Sequence, residues 1–281
     1  MAWQSVIPPS EVITHLSDPE WVVVDCRYSL ADTERGRKDY LEAHIPGAVY
    51  ADLDQDLSGT VIPGKTGRHP LPLVEDFVRT ASEWGIDSGV QVVAYDDVGG
   101  AYAARLWWLL HWLGHQAAAV LNGGWAGWRQ NGYPIRSGEE TNPPREFIPH
   151  LQEAMLVGAA EVDAMRTDPA YRVFDARNAD RFRGENETID PVAGHIPGAI
   201  SAPYEGNLAP DGSFLPAPVL RERYLRLMER VTASHTAFYC GSGVTAAHNL
   251  LALEYAGLGR GKLYAGSWSE WITNPERPVE R

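Results

Sequence analysis

The 281-residue chain has 44% hydrophobic and 22% charged residues, enough apolar sequence for one large or two modest cores and a composition that argues against disorder. A formal net charge of −13 disfavours a broad nucleic-acid-binding face but leaves room for a local cationic pocket that receives a small anion. With Cys26 and Cys240 as its two cysteines and no Cys-x-x-Cys pair, the sequence argues against a disulfide scaffold or a structural zinc cluster.

In chain order, the first residues lack the basic segment, apolar run and cleavage pattern of a secretory signal, so cytoplasmic residence is the expectation. Ser10 and Glu11 open an early helix. Strand-like runs near 21–25, 91–95 and 118–122 alternate with helical stretches. The most apolar region, 101–120, is interrupted by Arg105, His111 and His115, which predicts a packed helix leading into a strand and no membrane contact. The polar stretch from Gly132 to His150, with Ser137-Gly138-Glu139-Glu140 and Pro143-Pro144, reads as a linker. It divides the chain into domains 1–140 and 141–281. Strand-like runs return near 171–175, 236–240 and 262–265, and a helix is predicted over Val244 to Leu258. The fold class is therefore α/β, two domains each with a mainly parallel sheet flanked by helices.

A divergent internal repeat supports that division. Glu11-Val12, Asp18-Pro19 and Val23-Val24-Asp25-Cys26-Arg27 recur 150 residues later as Glu161-Val162, Asp168-Pro169 and Val173-Phe174-Asp175-Ala176-Arg177. His44-Ile45-Pro46-Gly47-Ala48 returns as His195-Ile196-Pro197-Gly198-Ala199. Ordered matches of this kind imply a duplicated domain. Val92-Val93-Ala94-Tyr95-Asp96 then parallels Ala237-Phe238-Tyr239-Cys240, which places Asp96 where the second copy has its cysteine. Gly and Trp signals at 123–128 and 266–271 mark strand ends, and core or rim packing is the preferred role of those tryptophans, with binding the alternative.

Cys240 is the candidate nucleophile. It stands where a strand gives way to Gly241-Ser242-Gly243-Val244-Thr245-Ala246 and a helix, a placement that surrounds a thiol with backbone N–H groups and suggests a stabilised thiolate. A buried cysteine beside an ordinary turn is the competing reading. A cysteine phosphatase needs an arginine six residues beyond its nucleophile, where this chain has Ala246, and no full GxGxxG cofactor fingerprint is present.

On these motifs, together with Ala51-Asp52-Leu53-Asp54-Gln55-Asp56-Leu57 and Gly67-Arg68-His69-Pro70-Leu71-Pro72, the chain resembles the tandem-domain rhodanese sulfurtransferases over nearly its full length. The Cys240 loop is closer to the 3-mercaptopyruvate branch than to the thiosulfate branch, whose loop carries basic side chains after the cysteine. The resemblance implies two rhodanese-like domains, the first noncatalytic and the second catalytic, with Cys240 carrying sulfur as a persulfide and no cofactor or metal. It implies an anionic sulfur donor and a thiol or cyanide acceptor, a thioredoxin-like protein among the candidates. It places Arg181 near the donor's anionic group, with Arg177 also on the substrate-binding side and organising the loop, and Arg183 as a neighbour. It places His44 and Ser242 at the loop as catalytic assistants, Asp32 as a residue orienting them, and Gly241, Gly243, Val244, Thr245 and Ala246 as the loop itself. His195, the repeat of His44, is assigned a structural loop role.

One departure from the branch bears on the donor. The interval Gly184 to Gly194 holds no second arginine, so a backbone donor or an arginine from elsewhere has to take its place, and thiosulfate remains the alternative donor. A noncatalytic sulfur-responsive binding module is the reading from a different class.

Overall fold

Val22, Val23 and Val24, and likewise Val92, Val93 and Ala94, are buried without alternation. An unbroken apolar run of this kind suits a parallel strand covered on both faces. The computed structural model describes residues 2–281 and divides the chain into two units. The first comprises residues up to Gly59, Leu71–Gln152 and Pro210–Phe214; the second comprises Thr60–Pro70, Glu153–Ala209 and Leu215–Arg281.

In the first unit, strands β1 (Val6–Ile7), β2 (Trp21–Asp25), β3 (Val49–Tyr50), β4 (Gln91–Tyr95) and β5 (Ala118–Leu121) form a parallel sheet in the order β1-β5-β4-β2-β3. The register sets Val22 against Val92 and Val24 against Ala94. Helix Ala103–Trp112 is buried along its whole length and leads to β5, as the sequence of 101–120 predicts. Trp128 packs into the core with Ile7, Val23, Val93 and Leu121.

In the second unit, β6 (Arg172–Asp175), β7 (Ile200–Ser201), β8 (Thr236–Tyr239) and β9 (Lys262–Leu263) give the parallel order β7-β6-β8-β9. A single parallel bridge from Leu156 to Leu263 continues the pattern at the β9 edge. Trp268 and Trp271 are fully buried in this core with Val173, Ala237 and Tyr264, the packing role expected of them. Among the described residues, no helix is long and apolar enough to cross a membrane.

Each unit carries the same buried ion pair. Arg27 donates to Asp25 through Nε and Nη2, and Tyr95 adds a hydroxyl bond of 2.6 Å to the same carboxylate. Arg177 grips Asp175 likewise, with an Nη2 bond of 2.6 Å, and donates to the Gly194 carbonyl.

The division at Gln152 corrects the boundary expected at 140. Composition marks 132–150 as a linker, but its backbone is spoken for in the first unit. Arg145 N–H donates to the Ser82 carbonyl, His150 N–H to Leu113 and Gln152 N–H to Trp112. The segment Thr60–Pro70, sequentially in the first half, belongs to the second unit.

Candidate active site

Strand β8 delivers Cys240 to the end of the second sheet, and the helix Thr245–Tyr255 begins four residues after Gly241. The turn between them is held from one side. Cys240 N–H donates to Ser267 Oγ at 3.0 Å, Trp268 N–H to the Cys240 carbonyl and Ser269 N–H to the Gly241 carbonyl. Gly243 has φ of +79°, and a Cβ there would lie 2.3 Å from the Ala265 carbonyl oxygen, so only glycine fits. This geometry lets Gly243 N–H reach back to Cys240 Sγ at 3.2 Å. A negative charge on the sulfur therefore meets a fixed donor. The thiol is 2% exposed. Val244 and Ala246 are buried and Thr245 half-buried as the chain enters the helix.

Ser242 is paired, but not with His44. Its Oγ lies 2.7 Å from His69 Nδ1, and both side chains are buried. The ring of His44 is fully buried within the first unit, stacked on Tyr40 at 4.3 Å, with Nδ1 2.7 Å from the Tyr40 carbonyl and backbone bonds to Arg136. Its repeat, His195, stacks on Phe182 at 3.7 Å and holds the Phe182 carbonyl at 2.8 Å, with backbone bonds to Glu280. The repeated histidine thus fastens a loop in each unit. Asp32 is exposed, and its carboxylate accepts the Glu34 N–H within its own turn.

Two guanidinium groups stand over the loop. A Cβ built on Gly241 would lie 2.8 Å from Arg68 Nη2 and 3.7 Å from Arg181 Nη1. The short helix Ala179–Phe182 positions Arg181. Arg68 is set by its own backbone, whose N–H donates to Ser269 Oγ at 3.1 Å, and by the close approach of Gly67 to the Gly266 carbonyl. Arg68 meets Asp190, and Arg181 bonds both Asp190 and Glu187. Burial raises the Asp190 carboxyl above its ordinary range, with Arg68 opposing. Burial also acts to raise Glu187, but Arg181 and two backbone donors hold it below its ordinary range.

Arg177 is buried behind them: its side chain is 1% exposed, locked to Asp175, bonded to Glu187 at 3.3 Å and placed over Trp268 at 4.9 Å, so it braces the loop's surroundings. Arg183 is exposed and paired with Glu185. The chain's reading as a sequence missed Arg68 and His69 as site residues. The signal was present in Gly67-Arg68-His69-Pro70, which carried resemblance but no assigned role.

At the corresponding position of the first unit, Asp96 fills the cradle with its own charge. Its carboxylate accepts N–H bonds from Val98, Gly100, Tyr102 and Ala103, all between 2.8 and 2.9 Å. Asp96→Ala should remove the acceptor of four N–H bonds, those of Gly100 and Ala103 buried, and cost about 2 kcal/mol. Denaturant unfolding of the full chain measures this, and a loss under about 1 kcal/mol would remove the cradle argument.

Among the described residues, no group of side chains is arranged to hold a metal ion. The rhodanese-like domain family matches the chain twice, at residues 8–131 and 158–274. A probable 3-mercaptopyruvate sulfurtransferase of Pseudomonas aeruginosa is 46% identical over 99% of both chains. A putative thiosulfate sulfurtransferase of Mycobacterium tuberculosis is 39% identical over 92% of this chain and 90% of its own. Among solved structures, 3-mercaptopyruvate sulfurtransferase from Leishmania major superposes with a TM-score of 0.85 at 35% identity, covering 98% of this chain and 75% of that one. Two parallel-sheet units, a cysteine loop in the second and these full-length matches together mean that the chain belongs to the tandem-domain rhodanese family of sulfurtransferases.

Proposed function

We propose that the protein moves sulfane sulfur from 3-mercaptopyruvate to a thiol or cyanide through a persulfide on Cys240. The observation that carries this reading is the Ser242–His69 pair set two residues beyond a cysteine whose sulfur accepts the Gly243 N–H. Cys240, as thiolate, attacks the sulfur of the donor thiol. The new S–S bond forms as the donor's C–S bond breaks, and the bonding pair passes to carbon as the enolate of pyruvate. That enolate needs a proton, which a hydroxyl–imidazole pair is suited to deliver. The terminal sulfur then passes to the acceptor, freeing the Cys240 thiolate. Arg68 and Arg181 receive the donor carboxylate, Arg68 supplying the second arginine that the interval 184–194 lacks.

Thiosulfate is the second reading. Its leaving group, sulfite, departs with the electron pair and needs no proton, but two guanidinium groups also suit its oxygens. The acceptor is a small thiol, cyanide or a thioredoxin-like protein. Cytoplasmic residence fits two free cysteines, since thiols persist where the compartment is reducing.

The deciding experiment compares transfer from both donors to one thiol acceptor under matched conditions. A larger kcat/KM for 3-mercaptopyruvate is expected, and a substantially larger value for thiosulfate would reverse the donor assignment.

A further inference from the structure

Two carboxylates at the donor face take no part in the sulfur chemistry, yet their side chains are only 2% exposed. Asp190 meets Arg68 Nη1 through one oxygen and Arg181 Nη2, at 3.0 Å, through the other. Glu187 accepts from Arg181 Nε at 3.1 Å and Nη2 at 2.8 Å, and from the buried Arg177 at 3.3 Å. Each donor-facing guanidinium therefore has one edge fixed on a carboxylate, while Arg68 Nη2 and both terminal nitrogens of Arg181, at 3.7 and 3.8 Å from a Cβ built on Gly241, lie toward the loop. Buried carboxylates are costly unless paired, and here the pairing also decides where two cations point.

Resting on the sulfur-transfer reading above, we propose that Asp190 is a positioning and selectivity residue. It holds Arg68 and Arg181 side by side over the Cys240 loop and offsets their charge, so that the site favours a monoanionic thiol-bearing oxo acid over dianionic thiosulfate. The charge count supports this. Arg177 is matched by Asp175, and Arg68 and Arg181 are matched by Asp190 and Glu187, leaving the donor face without net positive charge. A single carboxylate gains directed bonds from the inward nitrogens, which do not depend on net charge. A second negative charge on the donor gains no field and lies near the Asp190 and Glu187 carboxylates. At separations of several ångströms in a partly sheltered site, one such charge is worth about a tenfold change in relative handling.

The test is Asp190→Asn in the full chain, with kcat/KM measured for both donors against the same thiol. The amide keeps the volume and one acceptor for the arginines but removes the charge. The ratio of thiosulfate to 3-mercaptopyruvate efficiency is expected to rise about tenfold. A folded variant whose ratio stays within about twofold of the native value, both donors falling together, would overturn the inference and leave Asp190 a structural clamp. If Asp190→Asn does not fold by circular dichroism, Glu187→Gln carries the same expectation, because it removes the other charge on Arg181. Mass spectrometry of the native protein separates the two levels of the argument. Failure of both donors to add sulfur to Cys240 would sink the sulfur-transfer reading and this inference with it, whereas loading by both with an unmoved ratio sinks the inference alone.

Discussion

Cys240→Ala will show no one-sulfur adduct after treatment with either donor, and its transfer activity will fall by on the order of 10⁴-fold or more. The chain has one other cysteine, so an adduct that survived would have to sit on Cys26. That thiol is poorly suited to the task. It is 1% exposed, and burial together with Asp25 and Asp96 pushes it well above the ordinary thiol range. Its place in the first unit follows β2, whereas the cysteine loop follows β8, and the position matching Cys240 is filled by Asp96 with its four N–H bonds. Cys26→Ala should therefore keep the adduct. Removing Sγ from residue 240 takes away the acceptor of the 3.2 Å contact from Gly243 N–H, a loss of about 1 kcal/mol that the fold should tolerate. An unfolding transition lowered by no more than about 1 kcal/mol in Cys240→Ala, alongside lost transfer, separates chemistry from stability. Intact-protein mass spectrometry reads the first and thermal unfolding the second; retained adduct and turnover in Cys240→Ala would remove Cys240 from the reaction.

The parts of the fold that could be read in advance were those with a long local pattern. Buried valine runs marked β2 and β4 over their observed lengths, and the apolar stretch interrupted by Arg105 and His111 marked the helix before β5. The two-residue strands β1, β3 and β7 carry too few residues for a period to show, and tertiary pairing alone defines them. The boundary failed for a related reason. Prolines and polar residues at 132–150 describe a chain without regular structure, which is correct, but say nothing of where its hydrogen bonds end.

The site divides along the same line. Cys240, its glycines and Arg181 lie in one stretch of local grammar or one short helix, and the sequence pointed to them. His69 and Arg68 reach the loop from a segment more than a hundred residues earlier, which no local signal reveals. The repeat itself sorts shared residues from unshared ones. A residue that returns at the same place in both copies, as His44 does in His195, serves what the two units share, and they share a fold. Residues of the reaction should lack a copy. Cys240 is matched by Asp96, and the same offset sets Gly67-Arg68-His69-Pro70 against Asp211-Gly212-Ser213-Phe214, which has neither the arginine nor the histidine.

His69→Ala should separate the two donors. Loss of sulfur from 3-mercaptopyruvate leaves an enolate that must gain a proton before pyruvate departs, and the buried Ser242–His69 contact of 2.7 Å lies within the loop that carries the sulfur. Removing the imidazole should lower kcat/KM for this donor by about 10²–10³-fold, the range of a lost proton-transfer partner. Thiosulfate releases sulfite without a proton, so its efficiency should fall less than about tenfold, that smaller loss reflecting a less rigid loop. Ser242→Ala should reproduce the pattern. The double variant should be little worse than either single one, because two members of one relay are not additive. A donor-independent loss would instead mean that His69 only braces the Cys240 turn, and added imidazole gives a further discriminator. Partial rescue of 3-mercaptopyruvate turnover in His69→Ala, without matching rescue of thiosulfate turnover, is expected if the ring moves a proton. Equal rescue of both, or of neither with both donors equally impaired, would assign the ring to loop support and leave the enolate to be protonated by solvent.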